Sequence, residues 1–112
     1  MISKVRINRD PLLAPFESEA LQVLARRLRL ARLRRNLTQD VVAERAGLSR
    51  GAVVAAENGA PGTSLGTVVK ILGVFGLAER LGDVIAVDVD GELIEQDIGR
   101  QRARKQHALA DF

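Results

Sequence analysis

The 112-residue sequence predicts a mainly α protein, and three observations carry that expectation. Ala, Leu and Arg dominate, and all three are good helix formers. Apolar residues recur at three- and four-residue steps, the period of a one-sided helix. Ser, Thr, Asn and Gly fall where those runs begin and end, as helix caps should. Hydrophobic residues make up 46% of the chain but aromatic ones only 3% (Phe16, Phe75 and Phe112), so the expected core is aliphatic. The length fits one domain of about 150 residues or fewer with an arm.

Residues 1–16 read as an N-terminal arm that contains Pro11 and Pro15, with a weak alternation at Ser3–Ile7 that suits a short strand. From about Glu17 or Glu19 a helix is expected, with Leu21, Leu24, Leu28 and Ala31 on one face and a left-handed stop at Asn36. Thr38 is placed to cap a second, short helix with Asp40 in its first turn. Gly47 breaks the chain, Ser49 caps a third helix through Val53 and Ala56, and Asn58-Gly59 ends it. A fourth helix from Thr63 or Ser64 should bury Leu65, Val68, Val69, Leu72 and Phe75 and stop at Gly76. A fifth short segment, Leu77–Leu81, follows.

Beyond Gly82 two patterns compete. Ile85, Val87 and Val89 alternate just before Asp90-Gly91, which suits a strand and a two-residue hairpin turn. Leu93, Ile94 and Ile98 equally suit a helix, and the strand is the favoured reading. Residues 99–112, with Arg100, Arg102, Arg104 and Lys105, read as a mobile basic tail.

Charge divides along the same lines. The net +3 hides a body of residues 1–76 at +6 (12 basic, 6 acidic), residues 77–99 at −6 (1 basic, 7 acidic), and residues 100–112 at +3 (4 basic, 1 acidic). A basic body of this kind suits a polyanionic partner.

Other chemistries find little support. No cysteine and a lone His107 exclude a disulfide framework and a thiolate or His-rich metal site, and the acids of 83–97 lack the spacing of a calcium loop. No nucleophile–base set or Gly-rich phosphate loop is present, so neither an enzyme nor a cofactor is expected. No apolar run approaches the roughly 18 residues of a membrane span, and the N-terminus lacks a signal-peptide pattern. Together with the lack of cysteine, this makes a cytoplasmic location the expectation.

The informative stretch is Thr38–Gly59, two short helices joined by a turn at Gly47. This is a helix-turn-helix, in which the first helix braces the second for entry into a major groove. Small Ala43 lets the helices approach, Gly47 supplies the positive φ of the turn, and Val42, Leu48, Val53 and Ala56 face inward.

On Thr38-Gln39, Ala43, Gly47, Ser49 and Glu57-Asn58-Gly59, with Arg32 before and Leu65 and Leu72 after, the sequence resembles the XRE family of Cro and phage-repressor regulators over residues 20–82. The resemblance implies a five-helix repressor-type domain over 17–82, flanked by the 1–16 arm and a C-terminal extension with room for β structure. It implies DNA contact by Thr38, Gln39, Ser49, Arg50, Gly51, Val54, Ala55 and Asn58, with Gln39 and Asn58 toward phosphates and Arg50, Gly51 and Ala55 toward bases. It also implies a partly buried structural pair, Arg32 with Glu57.

The expected recognition surface is poor in hydrogen-bonding groups. Gly51, Ala52, Val54 and Ala55 leave Arg50 to read guanine, at about 1–3 kcal/mol for a good bidentate pair, while Val54 and Ala55 suit thymine methyls. Six arginines crowd into Arg26–Arg35, of which Arg32 is assigned to the core pair and the others to solvent or phosphate.

The leading expectation is therefore a regulator, acting by repression as a homodimer on a palindromic operator, with residues 83–98 as the pairing or partner segment. The alternative resembles antitoxins such as the HipB-like partners of HipA-like kinases, which bind a toxin protein and repress their own operon.

Overall fold

The computed structural model describes residues 10–110 and divides the chain into two compact units, one ending at Leu81 and one beginning at Gly82. The first holds four α-helices: α1 Pro15–Arg34, α2 Gln39–Ala46, α3 Arg50–Glu57 and α4 Leu65–Val74. A 3-10 helix, Ala78–Ile85, follows, and then α5, Val89–Ala110.

Helix α1 starts at Pro15, two residues before Glu17 and inside the expected arm. Proline's fixed φ suits the first helical position, and the Ala14 amide donates to Glu17 Oε1 at 2.9 Å, which ties down the first turn. The alternation at Ser3–Ile7 lies outside the described residues.

The first four helices share one way of stopping. Asn36, Gly47, Gly59 and Gly76 all have positive φ, from 54° to 72°. After each, the chain closes a pair of reversed hydrogen bonds, for example Leu48 N–H to the Ala43 carbonyl and Gly47 N–H to the Glu44 carbonyl. The residue that follows the turn is Leu37, Leu48 or Leu77 in three of the four, and each of these packs on the core. Starts are equally uniform: the hydroxyls of Thr38, Ser49 and Ser64 each accept from a backbone amide three residues on, at 3.1 Å. Thr38, Ser49, Asn36, Gly47, Gly59 and Gly76 act where the sequence placed them, and of the two residues offered for the start of α4 it is Ser64 that caps.

The core is aliphatic, as composition required, and closes around Leu28, Val42, Ala43, Val53, Ala56, Ile71 and Phe75. Ile71, Val42 and Val53 are its fully buried side chains. Helix α4 buries a face different from the expected one. Val68, Ile71 and Phe75 point inward and Leu72 is half-buried, while Leu65 and Val69 are exposed. Five apolar residues at 65, 68, 69, 72 and 75 fit a helical stripe, but the stripe through 68, 71 and 75 fits equally, and only the facing helices decide between them.

The second unit overturns the strand reading: no strand occurs among the described residues, and residues 83–98 hold the end of the 3-10 helix, a short link at 86–88 and the start of α5. Asp88 explains the reversal. Its Oδ1 accepts from the Gly91 amide at 3.1 Å and its carbonyl accepts from Glu92 at 2.9 Å, so it caps α5 while Asp90 and Glu92 fill the acidic first turn. Gly91, with no side chain, lies directly against the Asp88 carboxylate that its amide binds. Asp90-Gly91 is thereby drawn into a helix start rather than a hairpin. The helix then runs through 99–110, so the basic stretch is the second half of one element and not a separate mobile tail.

Candidate nucleic-acid interface

Helix α3 is short, so its two faces divide cleanly. Val53, Ala56 and Glu57 are buried, whereas Arg50, Gly51 and Asn58 are exposed, with Val54 and Ala55 half-exposed between them. Positions 50, 54 and 58, and 51 and 55, are spaced four residues apart, which lines them along one side of a helix. Ser49, whose Oγ accepts from Ala52, starts this helix abruptly and presents Arg50 in its first turn. Gly47, at φ 67°, sets the sharp angle between α2 and α3, and no atom lies near the place a Cβ would take. Its glycine is thus required by backbone conformation and not by space.

Two elements, α1 and α2, hold the α3 helix in position through the single carboxylate of Glu57. Arg32 Nε donates to Glu57 Oε2 at 2.8 Å and its Nη2 to Oε1 at 2.9 Å, a two-pronged pair with both residues buried. The third nitrogen, Nη1, donates to the Leu37 carbonyl at 2.9 Å, so the guanidinium also fastens the loop after α1. The Glu57 hydrogen bond holds the Arg32 guanidinium above its ordinary pKa, against the opposing effect of burial. The Arg32–Glu57 pair expected from the family resemblance is present with both carboxylate oxygens used.

Gln39 joins this network: its Nε2 donates to Glu57 Oε1 at 3.3 Å, and the residue is half-buried. Its amide therefore links the start of α2 to the end of α3. Thr38 and Ser49 both accept capping bonds and keep a hydroxyl proton to donate outward. Asn58 is exposed at the end of α3, with its carbonyl accepting from Gln22 Nε2 at 3.2 Å.

Arg50, the expected base reader, is exposed and lies 3.5 Å from Asp40 of α2. An exposed pair of this length is weak, so the side chain is oriented in the free protein without being held.

Sequence reasoning missed three participants. Gln22 braces Asn58, donating to its carbonyl, and lies beside Gly59, whose φ of 72° is what calls for glycine. Asp40 meets Arg50 across the turn. Arg35, counted among the solvent or phosphate arginines, is exposed but also tied to the fold: its Nη groups donate to the Ala31 and Phe75 carbonyls at 3.0 and 3.2 Å, and its guanidinium sits 5.1 Å from the Phe75 ring centre. Nothing in local periodicity marks these long-range partners. Arg26, Arg27, Arg29 and Arg34 are exposed on α1.

Among the described residues no helix is long and apolar enough to cross a membrane, and no group of His, Cys, Asp or Glu is gathered to hold a metal ion. A family model described as a helix-turn-helix domain matches residues 23–85, more than half of the chain. No curated protein matches the sequence.

Proposed function

Because the chain belongs to the helix-turn-helix domain family, we propose that it is a non-catalytic, sequence-selective regulator of XRE type that represses transcription by occupying an operator. The observation that carries the reading is the α3 helix: Glu57 fixes its inner face to Arg32, while Arg50, Gly51, Val54, Ala55 and Asn58 line its outer one. Fixed docking with a sparse polar surface suits direct readout by Arg50 together with apolar contact to thymine methyls. Thr38, Gln39, Ser49 and Asn58 stand at helix termini around this face, where their polar groups suit phosphate contact. Two copies would set their α3 helices about 34 Å apart on a palindromic site. The absence of cysteine suits a cytoplasmic setting.

Fluorescence anisotropy against DNA from the protein's own promoter, repeated across salt concentrations, tests this. Tight binding with a steep negative salt slope is expected from phosphate contacts. No affinity at physiological salt would make the domain a protein-interaction module instead.

The exposed apolar side chains of the second unit favour a second reading of the same chain. Val84, Ile85, Val87, Leu93 and Ile94 are each more than half exposed, a surface that suits a protein partner, as in an antitoxin that binds its toxin and represses its own operon. A toxin-like reading frame beside the gene would support it.

A further inference from the structure

Helix α5 carries its charge in two blocks. Asp88, Asp90, Glu92, Glu95 and Asp97 lead into and occupy its first half, and Arg100, Arg102, Arg104 and Lys105 its second. Along one side, a shallow groove is lined by Gly91, Ile94, Glu95, Ile98, Gly99 and Arg102. Ile94 is 61% exposed, Ile98 43% and Leu109 72%, and the steps between 91, 94, 98, 102, 105 and 109 are all three or four residues. In this row the apolar Ile94, Ile98 and Leu109 lie uncovered beside the charged Arg102 and Lys105, and the charge pattern says what sort of cover suits them.

We propose that α5 pairs with α5 of a second copy of this chain, antiparallel, about a two-fold axis between Ile98 and Gly99. A parallel pair would set acid against acid and base against base along the helix. The antiparallel pair sets each acidic half against a basic half and brings Glu95, which lines the groove, level with the partner's Arg102. It also lays Ile98 over the partner's Gly99, where the lack of a side chain permits close approach. A foreign partner would need to match this alternation of charge by its own sequence, whereas a second copy matches it by symmetry.

This pairing deepens the dimeric reading above, and its test is made on the full chain without DNA so that the two fail separately. The chain has no cysteine, which makes disulfide trapping clean. Glu95→Cys and Arg102→Cys chains, mixed under oxidation, should cross-link with each other, and neither should cross-link with itself. In sedimentation, Glu95→Arg or Arg102→Glu alone should weaken self-association roughly tenfold, since two pairs are lost per dimer, and the double swap should restore it. Self-cross-linking of Glu95→Cys, single swaps without effect, or a wild-type chain that stays monomeric and associates only with another protein would each overturn the proposal, whatever the DNA titration shows.

Discussion

Between residues 10 and 81 the side chains bury one another: an aliphatic core closes over Ile71, Val42 and Val53, and one ion pair lies inside it. Between 82 and 109 no side chain is buried, and the helix there rests on its cap, its propensities and exposed contacts such as Asp97 with Arg100 at 3.9 Å. Both regions are helical, but for different reasons. The first is helical because tertiary packing rewards each helix for presenting one face. The second is helical because its start is fixed locally, by the Asp88 cap and the acids of the first turn, while its apolar side chains stay exposed.

The largest expected difference concerns the two ion pairs. Glu57→Ala strands the Arg32 guanidinium in the interior and should cost about 3–5 kcal/mol in urea unfolding. Arg100→Ala removes an exposed partner and should leave the unfolding curve unchanged. Similar costs for the two would break the contrast between a packed and an unpacked region.

Helix caps sharpen the contrast at smaller scale. Ser49→Ala should lower the stability of the first unit by about 1 kcal/mol, because the cap is coupled to the core. Asp88→Ala should instead reduce the helical circular dichroism signal of residues 89–110 while the melting of the first unit stays where it was.

The smallest effect is expected at Asp40, whose pair with Arg50 is exposed. Asp40→Asn should leave stability unchanged and raise DNA affinity by up to about fivefold, equally for all sequences, since one surface negative charge of about 0.2–1 kcal/mol influence is removed.

The same contrast explains what could be read in advance. Caps and turns were legible because their chemistry is local: Thr38, Ser49, Asn36 and Gly47 act within a few residues of themselves. The Arg32–Glu57 pair was reached through family resemblance and stands in the structure with both oxygens engaged. The buried face of α4 was misjudged because Leu65 and Ile71 differ only in what faces them across the fold. Gln22 and Arg35 escaped for the same reason, as their partners lie 36 and 40 residues away. Residues 83–98 were misread because, without a core to select a period, an alternation of Ile85, Val87 and Val89 competed with the Asp88 cap, and the cap prevailed.

The central claim is that a rigidly braced α3 helix reads DNA through Arg50. Anisotropy titrations of wild type and Arg50→Ala, each against promoter and scrambled duplexes at one salt concentration, test it most directly. Arg50→Ala should bind both duplexes alike and weakly, having lost about 1–3 kcal/mol of preference for the promoter. A variant that keeps the wild-type preference would contradict the account.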